Sequence, residues 1–346
     1  MILSESSVRL DIAKTLKDEF SLVQLSSVTK RISRLYKNKY FEPYSFYDDC
    51  IKYVIANYKK KHKYDKRVHI ILDHMYSHDN FTVFMITMRV GKQCIPLWFR
   101  CFLGQHDSDA FQEELLKEGI SYVSSLFGED YDLIFLADRW FNSTSLMEHI
   151  SSLGHTFIFR MKKNINVLIY DNKEGHKIWK ELGDLFTYQY HSNFIGEVEL
   201  TYQKYKVNLV ISKKDKVKEP WILATNSDIK RAVKDYGYRY GGIECLFKNQ
   251  KSNGFYMESV CNASLKHFTS MYTLVCFSSL FLTILGAEYS KNTKCYKDVK
   301  IETHTVINGV KKRVMSLFNT GLTLFHIAFN SSRYVRLPIK FILYDM

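Results

Sequence analysis

From Val68 to Met161 the chain alternates short apolar runs with segments whose apolar residues return every three or four positions. VHIILD (Val68 to Asp73), FTVFMITMRV (Phe81 to Val90) and QCIPLWFRCF (Gln93 to Phe102) are too short for helices and rich in β-branched and aromatic residues, so they read as strands. Only Gly91 and Lys92 separate the second run from the third, a spacing that predicts a tight antiparallel hairpin. DSDAFQEELLKEGISYVSSLF (Asp107 to Phe127) has helical periodicity, with acids at its start where they suit the helix dipole. LIFLAD (Leu133 to Asp138), STSLMEHISSLG (Ser143 to Gly154) and HTFIFRM (His155 to Met161) then read as strand, helix and strand. Three antiparallel strands followed by alternating helices and strands predict an α/β fold with a mixed sheet.

The flanks differ. Residues 1–66 carry three helix-like patterns, VRLDIAKTLKDEF, SVTKRISRLYKNKY and SFYDDCIKYVIANYKKK, and read as a small, basic helical lead-in. Residues 164–226 turn β-rich, notably EVELTYQKYKVNLVIS (Glu197 to Ser212) and PWILATN (Pro220 to Asn226), and read as a β insertion. Residues 227–346 return to helical patterns. Within them lies a nineteen-residue stretch without charge, FTSMYTLVCFSSLFLTILG, whose Ser and Thr content and isolation favour a buried core helix over a membrane span.

Composition adds a folded chain and a class of partner. Of its 346 residues 46% are hydrophobic and 15% aromatic, with only four prolines, enough for one large core or two ordinary ones. The net charge of +13 gathers in KKKHKYDKR (Lys59 to Arg67), KKDKVK (Lys213 to Lys218) and KKR (Lys311 to Arg313), which attract polyanions, nucleic acid first. The seven cysteines form no CxxC pair, which argues for a reducing compartment and against a disulfide framework or zinc site. His74 and His78 lack partners at zinc-ligand spacing, and no apolar leader follows a basic start, so a cytoplasmic location without membrane attachment is expected.

Two aspartates end apolar strands, Asp73 in IILD and Asp138 in FLAD. A carboxylate in such a place caps a turn, meets a cation or binds a metal, because burying it unpaired is costly. If the two strands lie side by side, the carboxylates meet and require a counter-cation; hard oxygen donors of this kind suit magnesium or manganese. A third carboxylate on a facing helix would complete a site for two metal ions roughly 4 Å apart. Glu244, the sole acid between Tyr236 and Met257, is the candidate.

The strings ILDHMYSHD, IPLWFRCF, IFLADRWFNSTSLMEHISSLGHTFIFRMKKN and YGYRYGGIECLFKNQKSNGF resemble the DDE transposases of the bacterial IS4 family, over about residues 65 to 285. That resemblance implies an RNase H-like mixed sheet flanked by helices, with the β-rich insertion before the last catalytic helix. It implies a catalytic triad of Asp73, Asp138 and Glu244 holding two Mg²⁺ or Mn²⁺ ions. The chain then divides into the lead-in (1–66), a candidate for part of a DNA-binding region, the first part of the core (67–163), the insertion (164–226), and the catalytic helix with the rest of the core (227–346). The family's Tyr, Arg, Glu and Lys signature, normally with two, three and six residues between its members, falls on Tyr236, Arg239, Glu244 and Lys251, except that four residues separate Arg239 from Glu244. Gly241 and Gly242 lie in that longer interval, where a bend would place Glu244 in the first turn of its helix.

Tyr236, Arg239 and Lys251 would then position DNA phosphate, although Tyr236 reads equally as a packed aromatic. Arg139 and Trp140 match the family block, which implies a DNA contact for Arg139; Trp140 either stacks on a base or is simply buried, and Arg160, Lys162 and Lys163 either contact the DNA backbone or carry solvated charge. Lys30, Arg31, Arg34 and Lys37 are the lead-in's candidates for reading DNA. The expected activity is cleavage and strand transfer at double-stranded DNA ends carrying terminal inverted repeats, and joining to target DNA, by a homodimer in a synaptic complex on the nucleoid. Two alternatives remain: a metal-dependent nuclease without strand transfer, and an inactive DNA-binding relic of a mobile element.

Overall fold

The apolar run at Val68 becomes the centre of a mixed sheet, β1 (Arg67–Tyr76). In this computed structural model the described residues are 1–330 apart from 21–23, 63, 65, 78–80, 105–108, 172–174, 186–192, 202, 213–218, 260–263, 293–295, 297–298 and 308–309. His78 and the Lys213 to Lys218 cluster therefore lie outside the described residues.

On one side β1 pairs antiparallel with β2 (Phe81–Val90), and β2 with β3 (Gln93–Leu103). Val90 pairs with Gln93, which leaves Gly91 and Lys92 as the turn, and Gly91 takes the positive φ of 56° that glycine tolerates best. On its other side β1 pairs in parallel with β4 (Asp132–Ala137), which pairs in parallel with β5 (Thr156–Arg160). The first crossover is α4 (Asp109–Phe127) and the second α5 (Thr144–Ser152), capped by Ser143, whose Oγ accepts from the Leu146 amide, and closed at Gly154 with φ +77°. The order β3-β2-β1-β4-β5, antiparallel on one flank and parallel on the other, is that of an RNase H-like sheet.

The β-rich stretch continues this sheet. β6 (Asn166–Asp171), β7 (His176–Glu181), β8 (Asn193–Leu200), β9 (Tyr205–Ser212) and β10 (Trp221–Thr225) join it through β10, which lies antiparallel to β5. The result among the described residues is one ten-stranded sheet in the order β3-β2-β1-β4-β5-β10-β9-β8-β6-β7. A short segment, α6 (Ile229–Tyr236) and α7 (Gly242–Lys251), then crosses back to β1 and β3.

The uncharged stretch lies in α8 (Leu265–Lys291), a helix long and apolar enough to cross a membrane, but 83% of its apolar window is buried inside the protein. It packs on β3, on the lead-in helices α2 (Leu25–Tyr36) and α3 (Pro43–Lys61), and on α9 (Leu317–Asn330). The lead-in also includes α1 (Arg9–Phe20), against α2. Lys30, Arg31, Arg34 and Lys37 are exposed at or beside α2, while its Val28, Ile32 and Tyr36 are buried. A small hairpin, β11 (His304–Ile307) and β12 (Val310–Arg313), precedes α9, where the periodicity alone suggested only helices.

The α8–α9 contact is close because each helix presents a glycine to the other's backbone. A Cβ at Gly286 would collide with the Leu317 carbonyl, and one at Gly321 with the Leu282 carbonyl. Backbone cannot yield as a flexible side chain can, so overpacking here is costly. Gly286→Ala is expected to destabilise the protein by about 1–3 kcal/mol, read as a lower urea midpoint with unchanged slope; an unaltered midpoint would show that the helices separate freely.

Candidate active site

The parallel register decides which residues meet. The last parallel pair is Leu72 with Ala137, so Asp73 and Asp138, the next residue on each chain segment, stand side by side where that pairing stops. Asp138 follows the end of β4, whereas Asp73 does not end its strand as expected, because β1 runs on to Tyr76 with Asp73 opposite Met85 of β2. Carboxyl ends of parallel strands in α/β sheets are where ligands commonly bind. Each aspartate spends one oxygen on the local backbone: Asp73 Oδ1 accepts from the His74 amide at 2.9 Å, and Asp138 Oδ1 from the Trp140 amide at 2.8 Å. Their Oδ2 atoms face one Nη2 of Arg239, at 2.9 Å and 3.4 Å.

Arg239 is buried, and its charge is held in place by these two acids. Burial alone would lower its pKa, yet Asp73 and, more weakly, Tyr236 and Asp138 raise it above the ordinary guanidinium value. For Asp73 the balance goes the other way. Desolvation pushes its carboxyl up to about 6, against the pull of Arg239 and the His74 amide, with Asp138 and Glu244 adding like-charge repulsion.

The segment carrying Arg239 is pinned along the polar face of β1. Residues of equal parity share a strand face, and here Arg67, His69 and Asp73 do so. Asp235 accepts from Arg67 Nη2 at 2.8 Å and lies 3.1 Å from His69 Nε2, and the Tyr238 ring packs on His69 at 4.4 Å. From β2, Arg89 Nη1 donates to the Tyr238 and Tyr240 carbonyls at 3.1 and 2.9 Å. In the sequence Arg67 stands out only as the end of a basic cluster, and His69, Arg89 and Asp235 not at all; the polar–apolar alternation of RVH was the available signal for the first two.

The longer Arg–Glu interval is absorbed at Gly241, whose φ is +83°, and α7 begins at Gly242. Glu244 thus sits in the first turn, exposed, and its Oε2 accepts from the Gly241 amide at 3.1 Å. Ile243 and Leu246 are buried below it, and Lys251 closes the helix partly exposed. Tyr236 is fully buried against Trp221 and Tyr240, with ring centroids 5.2 and 6.0 Å away. Its hydroxyl has no hydrogen-bond partner among the described residues, although Arg239, Arg160 and Asp138 lie within electrostatic range.

Trp140 is 37% exposed and packs on His74 and Phe84, at 4.5 and 5.4 Å. Together with Glu113, Ser143 and Lys162 it lines a cleft of about 350 Å³ beside Asp138. Arg139, Arg160 and Lys163 converge on Glu219, an acid that the sequence did not mark.

A divalent cation can be tested against these donors. The two aspartates already share one positive charge, so their hard oxygens and their repulsion fit a cation held in common. Glu244 is close enough to affect Asp73 but is turned onto Gly241, and among the described residues no group of three or more Asp, Glu, His and Cys side chains is gathered for a metal. Asp73 and Asp138 thus fit such an ion, whereas the three-acid set is not assembled in this arrangement.

Because the folded pKa of Asp73 is raised from 3.8 to about 6, its contribution favours the fold most at low pH and is lost as pH rises through about 6. Across that window wild-type stability is expected to fall by about 2–3 kcal/mol relative to Asp73→Asn. Urea titrations of both proteins from acid to neutral pH measure the difference; parallel curves would contradict it.

Neither a protein-family model nor a curated protein matches the chain. Among solved structures it is similar to Marinitoga piezophila Argonaute in complex with 5′ OH guide RNA, at 11% identity and a TM-score of 0.26 over 63% of this chain. With guide RNA and target DNA the corresponding values are 13%, 0.24 and 67%, and for Kluyveromyces polysporus Argonaute with a guide RNA they are 10%, 0.23 and 66%. The chain spans only 31%, 33% and 27% of the lengths of those three.

Proposed function

We propose that this protein is a DNA transposase of the DDE type, cutting phosphodiester bonds at the ends of a mobile element and joining the freed 3′ hydroxyl to target DNA. The observation that carries the reading is the meeting of Asp73 and Asp138 where the parallel pairing of β1 and β4 stops, with Arg239 between them and Glu244 alongside. The net charge of +13 and the resemblance of the four sequence blocks to IS4-family transposases support the choice of DNA and of strand transfer.

In this reading Asp73 and Asp138 hold magnesium or manganese, joined by Glu244 once its side chain leaves Gly241. A divalent ion bound there would supply an activated oxygen nucleophile and stabilise the leaving oxygen. Arg239 neutralises the aspartates in the free protein and turns to phosphate when DNA and metal arrive. Tyr236 fixes the rim of the site through its buried ring, and Lys251 and Lys162 hold the DNA backbone. Two such centres, hence a dimer on paired ends, are needed to join both ends of an element.

Metal binding is open to direct measurement. Mn²⁺ titration followed by electron paramagnetic resonance is expected to show about tenfold weaker binding in Asp73→Asn and stronger binding in Arg239→Ala, which lacks the competing cation. Equal affinity in all three proteins would remove the aspartates as ligands.

For the reaction, DNA carrying the inverted repeats that flank the gene is the substrate. With Mg²⁺, the wild type is expected to cleave it and join pre-cleaved ends, and Asp138→Asn and Glu244→Gln to lose at least about a hundredfold in cleavage. Cleavage without joining would assign a hydrolytic nuclease instead. Unchanged cleavage by either variant would defeat the three-carboxylate reading.

A further inference from the structure

The rim beside Asp138 is built from three strand ends. Arg139 directly follows Asp138, Arg160 closes β5, and Lys163 lies in the turn after it. Because β10 runs antiparallel to β5, with Leu223 opposite Arg160, the start of β10 returns to this same edge and brings Glu219 with it. Glu219 Oε2 accepts from Arg139 Nη1 at 3.2 Å and Arg160 Nη2 at 3.4 Å, and Oε1 from Lys163 Nζ at 3.5 Å. These cations hold the Glu219 carboxyl below its usual pKa range.

Three cations on one carboxylate leave an excess of positive charge. The Arg160 side chain is only 18% exposed, so it is held in position, whereas Glu219 is 43% exposed and its pairs face water. Ion pairs of that kind are individually weak and screened by salt. Two carboxylate oxygens shared among guanidinium and ammonium donors also match the two non-bridging oxygens of a phosphodiester.

We propose that Arg139, Arg160 and Lys163 form a binding site for one backbone phosphate of nucleic acid beside Asp138, and that Glu219 occupies this site in the free protein as an internal competitor. The identity of the anion rests on the function proposed above; the convergence on Glu219 does not. Backbone must displace Glu219 to enter, which weakens indiscriminate binding and leaves the site to DNA held by further contacts. Released from Glu219, the three cations meet the phosphate next to the bond that Asp73 and Asp138 address.

Fluorescence anisotropy with a short DNA duplex, without divalent metal and at low and moderate salt, tests this. Glu219→Gln is expected to bind about five- to tenfold more tightly than wild type at low salt. Glu197→Gln makes the same change in net charge at an exposed carboxylate paired with Lys206 at 3.1 Å, and is expected to stay within about twofold of wild type. In an Arg139→Gln/Lys163→Gln background, both side chains being more than half exposed, the gain from Glu219→Gln is expected to disappear.

Equal gains from Glu219→Gln and Glu197→Gln overturn the proposal, as does a full gain in the double-variant background or failure of every form to bind DNA. The assay involves no cleavage, so the two readings fail separately. A specific gain in Glu219→Gln without Mg²⁺-dependent cleavage by wild type would keep the phosphate site and remove the transposase. Cleavage and joining by wild type with no gain in Glu219→Gln would do the reverse.

Discussion

Two carboxylates side by side where the pairing of neighbouring parallel strands stops, partly withdrawn from water, cannot stand without a cation, and Arg239 supplies it. Much of the surrounding structure serves to deliver that guanidinium. Asp235, tied to Arg67 and His69, fixes the end of α6 along β1, and Arg89 holds the carbonyls on either side of Arg239. Gly241 then turns the chain so that α7 starts with its apolar side on the sheet. Gly242 completes the clamp, because a Cβ there would collide with Arg89 and Cys94.

Charge around this centre is arranged in two opposed sets. Asp73 and Asp138 call for positive charge, and a few residues along the same edge Arg139, Arg160 and Lys163 call for negative charge. Each set is satisfied from within the chain, by Arg239 in one case and Glu219 in the other. On the proposed reading, a metal and a phosphate arriving together would satisfy both sets in exchange, which is the pairing that phosphodiester chemistry presents. α8 packs at once on β3, on the lead-in helices α2 and α3 and on α9, and so ties them to the sheet.

The strands from β1 to β5 were legible because short β-branched and aromatic runs, a two-residue Gly-Lys turn and a glycine helix stop are all local signals. Asp73 and Asp138 were legible for the same reason, as carboxylates that break apolar runs. The interval between Arg239 and Glu244 also pointed to a bend, since adjacent glycines weaken a helix. Less local features were not visible. The continuation of the sheet through β10 depends on pairing between Leu223 and Arg160, remote in sequence, and Glu219 gains its three partners only through that pairing.

The sequence by itself therefore determined the α/β order, the buried character of the Phe268 to Gly286 stretch and the two aspartates, all carried by residues within one element or one turn. The tertiary structure alone decided that Arg239 lies between those aspartates and that Tyr236 is wholly buried. Those outcomes depend on strand register and on the desolvation of charges by segments far apart in the chain, and neither is written into any local pattern.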